Sequence, residues 1–99
     1  MRTHNKPDFA ARLFKVLRRT SKAKKLELDF AAGCDGAIRE IIDFETLENF
    51  EVTADRYDEV VVHLETLSEF VTGGYQEGYM HVADLVRRYA SALRNKVSY

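Results

Sequence analysis

Two sets of side chains have the types and spacing of metal ligands. Glu59 and His63 are four residues apart. Glu77 and His81 have the same spacing, with Asp84 three residues further on. Residues four apart share a helix face, and carboxylates and imidazoles on facing helices bind metal ions when they project inward. Glu77, His81 and Asp84 lie outside the apolar stripe of their segment, so we interpret both sets as solvated pairs and predict no metal or other cofactor.

Cys34 is the single cysteine of the chain and a second candidate for chemistry. It lies within Gly33-Cys34-Asp35-Gly36, which the composition indicates is a turn. A cysteine nucleophile needs a lowered pKa, whereas the neighbouring Asp35 would raise the pKa of the thiol. No other motif indicates a reaction, so we predict that the protein is not an enzyme. One cysteine cannot close a disulfide within the chain, and we therefore expect a cytoplasmic protein.

The strongest pattern is a basic segment at the start of the chain. Residues 1–25 hold nine lysines or arginines against a single acid, Asp8. Several of these bases share one side of a helical wheel, opposite an apolar stripe. The members of this group are Arg12, Lys15, Arg18, Arg19 and Lys22. Such a face can contact an acidic protein or the phosphates of a nucleic acid, and we predict that it binds the partner.

Charge is also segregated along the rest of the chain. Residues 26–86 carry fifteen acids against two arginines, and residues 87–99 carry four bases and no acid. The three regions have net charges of +8, −13 and +4, although the whole chain has −1. A domain of this size cannot hold a −13 region far from the basic segment, so a duplex would be attracted to one side and repelled by the rest. The pattern favours a protein partner over nucleic acid.

Length and hydropathy limit the architecture. The chain has 99 residues, of which 45% are hydrophobic, which suits a single domain over residues 1–99 with its own core. No stretch approaches the roughly 20 apolar residues of a membrane span. Basic residues also interrupt the apolar positions that follow the N-terminus, unlike a signal peptide. We therefore expect no membrane association.

Four segments have the periodicity of amphipathic helices, and their predicted ranges are 7–23, 37–50, 54–72 and 75–96. Thr53 is the expected N-cap of the third segment, and Gly73-Gly74 its expected end. Apolar residues recur at alternating spacings of three and four in the last two segments, which predicts helices that each pack along one side. Because only Gly73-Gly74 separates them, we expect the two helices to fold back as an antiparallel hairpin. The recurring apolar residues are Tyr57, Val60, Leu64, Leu67 and Val71, followed by Tyr75, Tyr79, Val82, Val86, Tyr89 and Leu93.

The predicted fold is therefore all-α, a small helical bundle with a C-terminal antiparallel helix hairpin. Residues 25–44 leave an alternative open, because Leu26, Leu28 and Phe30 alternate with acids as in a strand. That alternative is an α+β fold with a β-hairpin or meander across 25–65, between terminal helices.

These features predict a small non-enzymatic interaction protein, a regulator or inhibitor that binds a macromolecular partner through charge-segregated surfaces. A second copy of the chain also fits as the partner, because a basic face and an acidic surface are complementary. A narrower hypothesis is that the acidic surface mimics the phosphates of a nucleic acid. The alternative function is nucleic-acid binding through the basic N-terminal helix within residues 1–25.

Overall fold

Four α-helices make up the described part of the chain. The computed structural model describes residues 8–24 and 28–97, with side chains for 8–17 and 28–95. The helices are α1 (Phe9–Lys24), α2 (Leu28–Glu45), α3 (Ala54–Ser68) and α4 (Gly73–Val97). Within these residues there is no strand, so the predicted all-α fold is confirmed and the β-hairpin or meander is wrong for residues 28–65.

The core lies where α4 packs against both α2 and α3. Contacts between α2 and α3 are fewer, and α1 packs mainly on α2. The fully buried side chains come from the predicted apolar stripes of α3 and α4, together with α2; the largest are Tyr57, Val60, Leu64, Val82, Val86 and Ile41. The polar contacts between Ser68 and Gln76 at one end, and between Asp58 and Arg94 at the other, show that α3 and α4 are antiparallel. The predicted hairpin is therefore confirmed.

Gly33-Cys34-Asp35-Gly36 lies inside α2, so the predicted turn is wrong. α2 begins at Leu28 and ends at Glu45, whereas the sequence predicts a helix over 37–50. Gly33 of α2 and Gly78 of α4 instead allow the backbones of the two helices to approach closely. A Cβ atom on Gly78 would lie 2.5 Å from the carbonyl oxygen of Phe30 and 2.6 Å from the backbone nitrogen of Cys34. One on Gly33 would lie 2.9 Å from the Cα of Tyr75.

The ends of α3 are set by local hydrogen bonds. Thr53 is the N-cap as predicted, and its Oγ1 accepts from the backbone N–H of Arg56 at 3.2 Å. The helix ends at Ser68, four residues before the predicted end. There Gln76 of α4 donates its Nε2 to the backbone carbonyl of Ser68 at 3.0 Å, which satisfies a terminal acceptor. Gly73 has a φ of +62° and forms the start of α4, so it turns the chain into the next helix.

We expect Gly78→Ala to destabilise the protein, although alanine has the higher helix propensity. Propensity alone would stabilise the helix by about 1 kcal/mol. The added Cβ would however meet backbone atoms of Phe30 and Cys34, which cannot rotate away. The expected net loss is ~1–3 kcal/mol in the free energy of unfolding. Urea denaturation followed by circular dichroism measures it.

Gly36→Ala is the matched control on the facing helix. Its Cβ would meet the hydroxyl group of Tyr79 at 2.8 Å, which is the end of a side chain that can move. This variant should be at least as stable as the wild type. Similar losses of stability in Gly36→Ala and Gly78→Ala would contradict the explanation by close backbone packing.

Candidate interaction surface

The first turn of α1 is anchored by the carboxylate of Glu45, at the end of the bundle where α2 stops and α3 starts. The backbone N–H of Ala10 donates to Glu45 Oε1 at 3.4 Å, and the hydroxyl of Tyr57 donates to Glu45 Oε2 at 2.6 Å. A carboxylate at a helix N-terminus accepts from otherwise unpaired N–H groups and complements the helix dipole. Burial, followed by the hydrogen bond to Glu45, raises the pKa of Tyr57, so the phenol stays protonated as a donor. Glu45 thereby joins α1, α2 and α3.

Aromatic rings complete this anchor. Phe9 stacks on Tyr89 of α4 with ring centroids 4.2 Å apart and an interplanar angle of 10°. The same ring meets Tyr57 edge-on, with centroids 6.0 Å apart. Arg12 then lies over Tyr89, with its Cζ 5.5 Å from the ring centroid and its Nη2 donating to the hydroxyl at 3.3 Å. The N-terminal half of α1 is therefore held in place by all three other helices.

The residues that the sequence predicts for partner binding do not all have the same surroundings in the structure. Arg12 is engaged within the chain, both at Tyr89 and with Asp8, whose Oδ1 lies 3.4 Å away. Lys15 is exposed and has no ion pair among the described residues. Arg18, Arg19 and Lys22 lie on α1, but their side chains are outside the described part of the structure.

Helix geometry places Lys15 and the positions of Arg18, Arg19 and Lys22 on one side of α1. We call these four positions the basic face. The opposite side of the helix packs on the bundle through its buried stripe, which consists of Ala10, Leu13 and Leu17. That these bases contact a partner stays a prediction.

The arginines of α4 bind carboxylates of α3. Nη2 of Arg94 lies 2.7 Å from Asp58 and 3.6 Å from Asp55, and the bond to Asp58 raises the pKa of Arg94. Arg87 donates to Glu65 in the same way. The sequence analysis does not predict these ion pairs between α3 and α4, because the paired residues are 22 and 36 positions apart in the chain.

The remaining described arginines of the bundle pair within their own helices. Arg39 bonds Asp35 at 3.0 Å, Arg56 bonds Glu59 at 3.2 Å and Arg88 bonds Asp84 at 2.9 Å. Exposed pairs of this kind contribute little to stability. The arginines of these pairs do neutralise the carboxylates that they contact. The electrostatic field of the −13 region is therefore weakened by cations of the same chain.

The carboxylates that lack an ion pair in the described part of the chain lie towards the two ends of the bundle. Asp43, Glu48 and Glu51 surround the connection between α2 and α3. Asp29, Glu69 and Glu77 lie towards the opposite end, where α2 and α4 begin. Within the described residues, the carboxylates without an ion pair are thus concentrated in two places.

The residues that have the spacing of metal ligands make other contacts. His63 Nε2 lies 2.8 Å from Glu40 Oε1 on α2, while Glu59 bonds Arg56. His81 lies against the ring of Phe30, with centroids 5.5 Å apart. Among the described residues, no group of three or more His, Cys, Asp or Glu has the arrangement of a metal site.

Cys34 is buried in α2, where its Sγ lies 3.7 Å from the backbone carbonyl oxygen of Gly78. Burial raises the pKa of the thiol from 9.0 to about 11. The predicted direction is therefore confirmed, but the cause is burial in a helix interface and not a turn beside Asp35.

Comparison with protein-family models, curated proteins and solved structures gives no match to this chain. Within residues 8–24 and 28–97, no helix combines the length and apolar character needed to cross a bilayer. The class of the protein is therefore defined by its fold, a small all-α bundle.

Replacing Tyr57 by phenylalanine should destabilise the protein by ~1–3 kcal/mol, because the half-buried Glu45 carboxylate would lose its closest donor. Tyr89→Phe is the control, since it removes a hydrogen bond to an exposed arginine and should cost less than about 0.5 kcal/mol. Urea midpoints at constant m-value compare the two variants. Equal costs would show that Glu45 does not anchor α1 through Tyr57.

We expect Cys34 to resist thiol reagents in the folded protein at pH 8, because a pKa of about 11 leaves about one thiol in a thousand ionised. Release of the chromophore from Ellman's reagent should be slow in buffer and fast in urea. Rapid labelling without denaturant would contradict the buried position.

The raised pKa of the Cys34 thiol also favours the folded state below pH 9, and this contribution to stability is lost as the pH rises towards 11.

Proposed function

We propose that this chain is a small non-enzymatic interaction protein, a regulator or inhibitor that binds an acidic surface of another protein through the basic face of α1. The supporting observation is a contrast between its cations. Every arginine side chain that the structure describes bonds a carboxylate of the same chain. Lys15, the described member of the basic face, is exposed and has no such bond.

The anchoring of α1 supports the same proposal. Glu45 and the aromatic cluster fix the first turn, and the buried stripe fixes the helix along α2. A helix whose backbone is ordered before binding loses less conformational entropy when a partner arrives. The described part of α1 therefore has the preorganisation that a binding helix needs.

The unpaired carboxylates favour a protein over nucleic acid. α1 has 16 residues and is about 24 Å long. A duplex carries one charge per roughly 1.7 Å and extends past both ends of such a helix. It would then approach the carboxylates at the two ends of the bundle, such as Glu48 and Asp29, whereas an acidic patch of limited size on a protein would not.

The hypothesis of nucleic-acid mimicry receives less support from this charge distribution. Of the described carboxylates, six of the −13 region are bonded to arginines, and those without an ion pair among the described residues lie towards opposite ends of the bundle. A mimic needs carboxylates in a continuous array, at spacings like those of phosphates.

Affinity capture from native lysate, with nuclease treatment, tests the proposal. Lys15→Glu/Lys22→Glu reverses two charges of the basic face and leaves the anchoring Arg12 in place. Arg39→Glu/Arg88→Glu is the control, since it changes the net charge equally at exposed positions of α2 and α4. We expect the wild type and the control to retain the same protein, and the Lys15/Lys22 variant to retain at least tenfold less by quantitative mass spectrometry. Equal retention by both variants would refute binding through the basic face.

Binding of a labelled duplex, measured by fluorescence anisotropy at several salt concentrations, tests the alternative function. The proposal predicts no micromolar binding at about 150 mM salt. Micromolar binding that the Lys15/Lys22 variant weakens, with a shallower salt dependence, would replace the protein partner by nucleic acid.

A further inference from the structure

A group of exposed apolar side chains lies at the end of the bundle where α2 and α4 begin. Leu28 is 86% exposed and Phe70 is 80% exposed, more than any other large apolar side chain in the described residues. Tyr75 is also exposed. The two helix starts are adjacent, since a Cβ on Gly74 would lie 2.8 Å from the Cβ of Asp29. Phe70 lies in the short connection that leads into α4.

Carboxylates accompany each of these apolar side chains. Asp29 follows Leu28, Glu69 precedes Phe70, and Glu77 lies two residues after Tyr75. None of the three has an ion pair among the described residues. We call these six residues the acidic apolar end. Exposed apolar side chains together with carboxylates are typical of a surface that binds a protein, and the complement of such a surface is an apolar surface with cations.

The basic face of α1 supplies such cations on the same chain. We infer that the basic face of one copy binds the acidic apolar end of a second copy, and that the chain assembles with itself. This inference rests on the proposed function, because it names the partner of the same basic face. The two surfaces are different, so the contact is head-to-tail and leaves each copy able to bind two neighbours, in a closed ring or an open chain.

A charge exchange between the two surfaces tests this assembly. The first variant is Lys15→Glu/Lys22→Glu, and the second is Glu69→Lys/Glu77→Lys. Sedimentation equilibrium should show that the wild type associates and that its association weakens at high salt, because the contact is electrostatic. Each variant alone should associate at least tenfold more weakly. An equimolar mixture of the two variants should associate again, because each reversed surface then meets a complementary one.

A monomeric wild type at every concentration would overturn the inference. So would a mixture that stays monomeric although circular dichroism shows both variants folded. Recovery of association in the mixture can occur only if both variants are folded. A positive result therefore also shows that neither variant lost association by unfolding.

A second pair of variants tests the apolar part of the contact. Phe70→Ser should weaken association at least tenfold without reducing its salt dependence. Val62→Ser is the control, because Val62 is also an exposed apolar residue but lies in the middle of α3. Equal weakening by both variants would show that association does not use the acidic apolar end.

The outcomes separate this inference from the proposed function. A monomeric wild type whose basic face still retains a lysate protein would refute self-assembly and support the proposed function. Association that is recovered by charge exchange would identify the second copy as the partner. If the basic-face variant behaves like the wild type in both experiments, both proposals are wrong.

Discussion

The fold depends on the close approach of the α2 and α4 backbones. Gly33 and Gly78 bring backbone atoms of the two helices to distances that no Cβ could occupy. With α4 set so closely on α2, the apolar stripe of α4 also faces α3, and one helix can bury residues of both neighbours. The same contact places the start of α2 beside the start of α4, which is why exposed residues from separate parts of the chain share one end of the bundle.

The position of α1 follows from a second constraint, the pairing of Glu45 with both Tyr57 and the first turn of α1. Tyr57 is fully buried, so its hydroxyl needs an acceptor, and the nearest one is a carboxylate that also satisfies an N–H group of α1. One polar interaction in the core thus orients the helix that carries the basic face.

Sequence periodicity was enough to predict the helices whose buried residues recur at regular spacing. The apolar stripes of α3 and α4 predict both helices, and the short connection at Gly73-Gly74 predicts their antiparallel pairing, because both signals are local in the sequence. The glycines of α2 were misinterpreted, because glycine suits a turn and a close helix contact equally well, and only the facing helix decides between them. The bonds of Arg94 and Glu45 were missed for a related reason. They join residues far apart in sequence, and no spacing rule connects such residues before the helices are placed.

Arginine and lysine are distributed differently along the chain, and this difference helps to explain the segregation of charge. From residue 26 to residue 95 the chain uses arginine and no lysine, whereas residues 1–25 contain every lysine except Lys96. Arginine forms planar, directed bonds to carboxylates. Each described arginine side chain bonds a carboxylate, and two of them, Arg87 and Arg94, bond a carboxylate of another helix. Lysine is more strongly hydrated and less directional, which suits a surface that remains in water until a partner binds. The described arginines of the +4 and −13 regions are therefore used in ion pairs within the chain, whereas Lys15 of α1 forms no ion pair among the described residues.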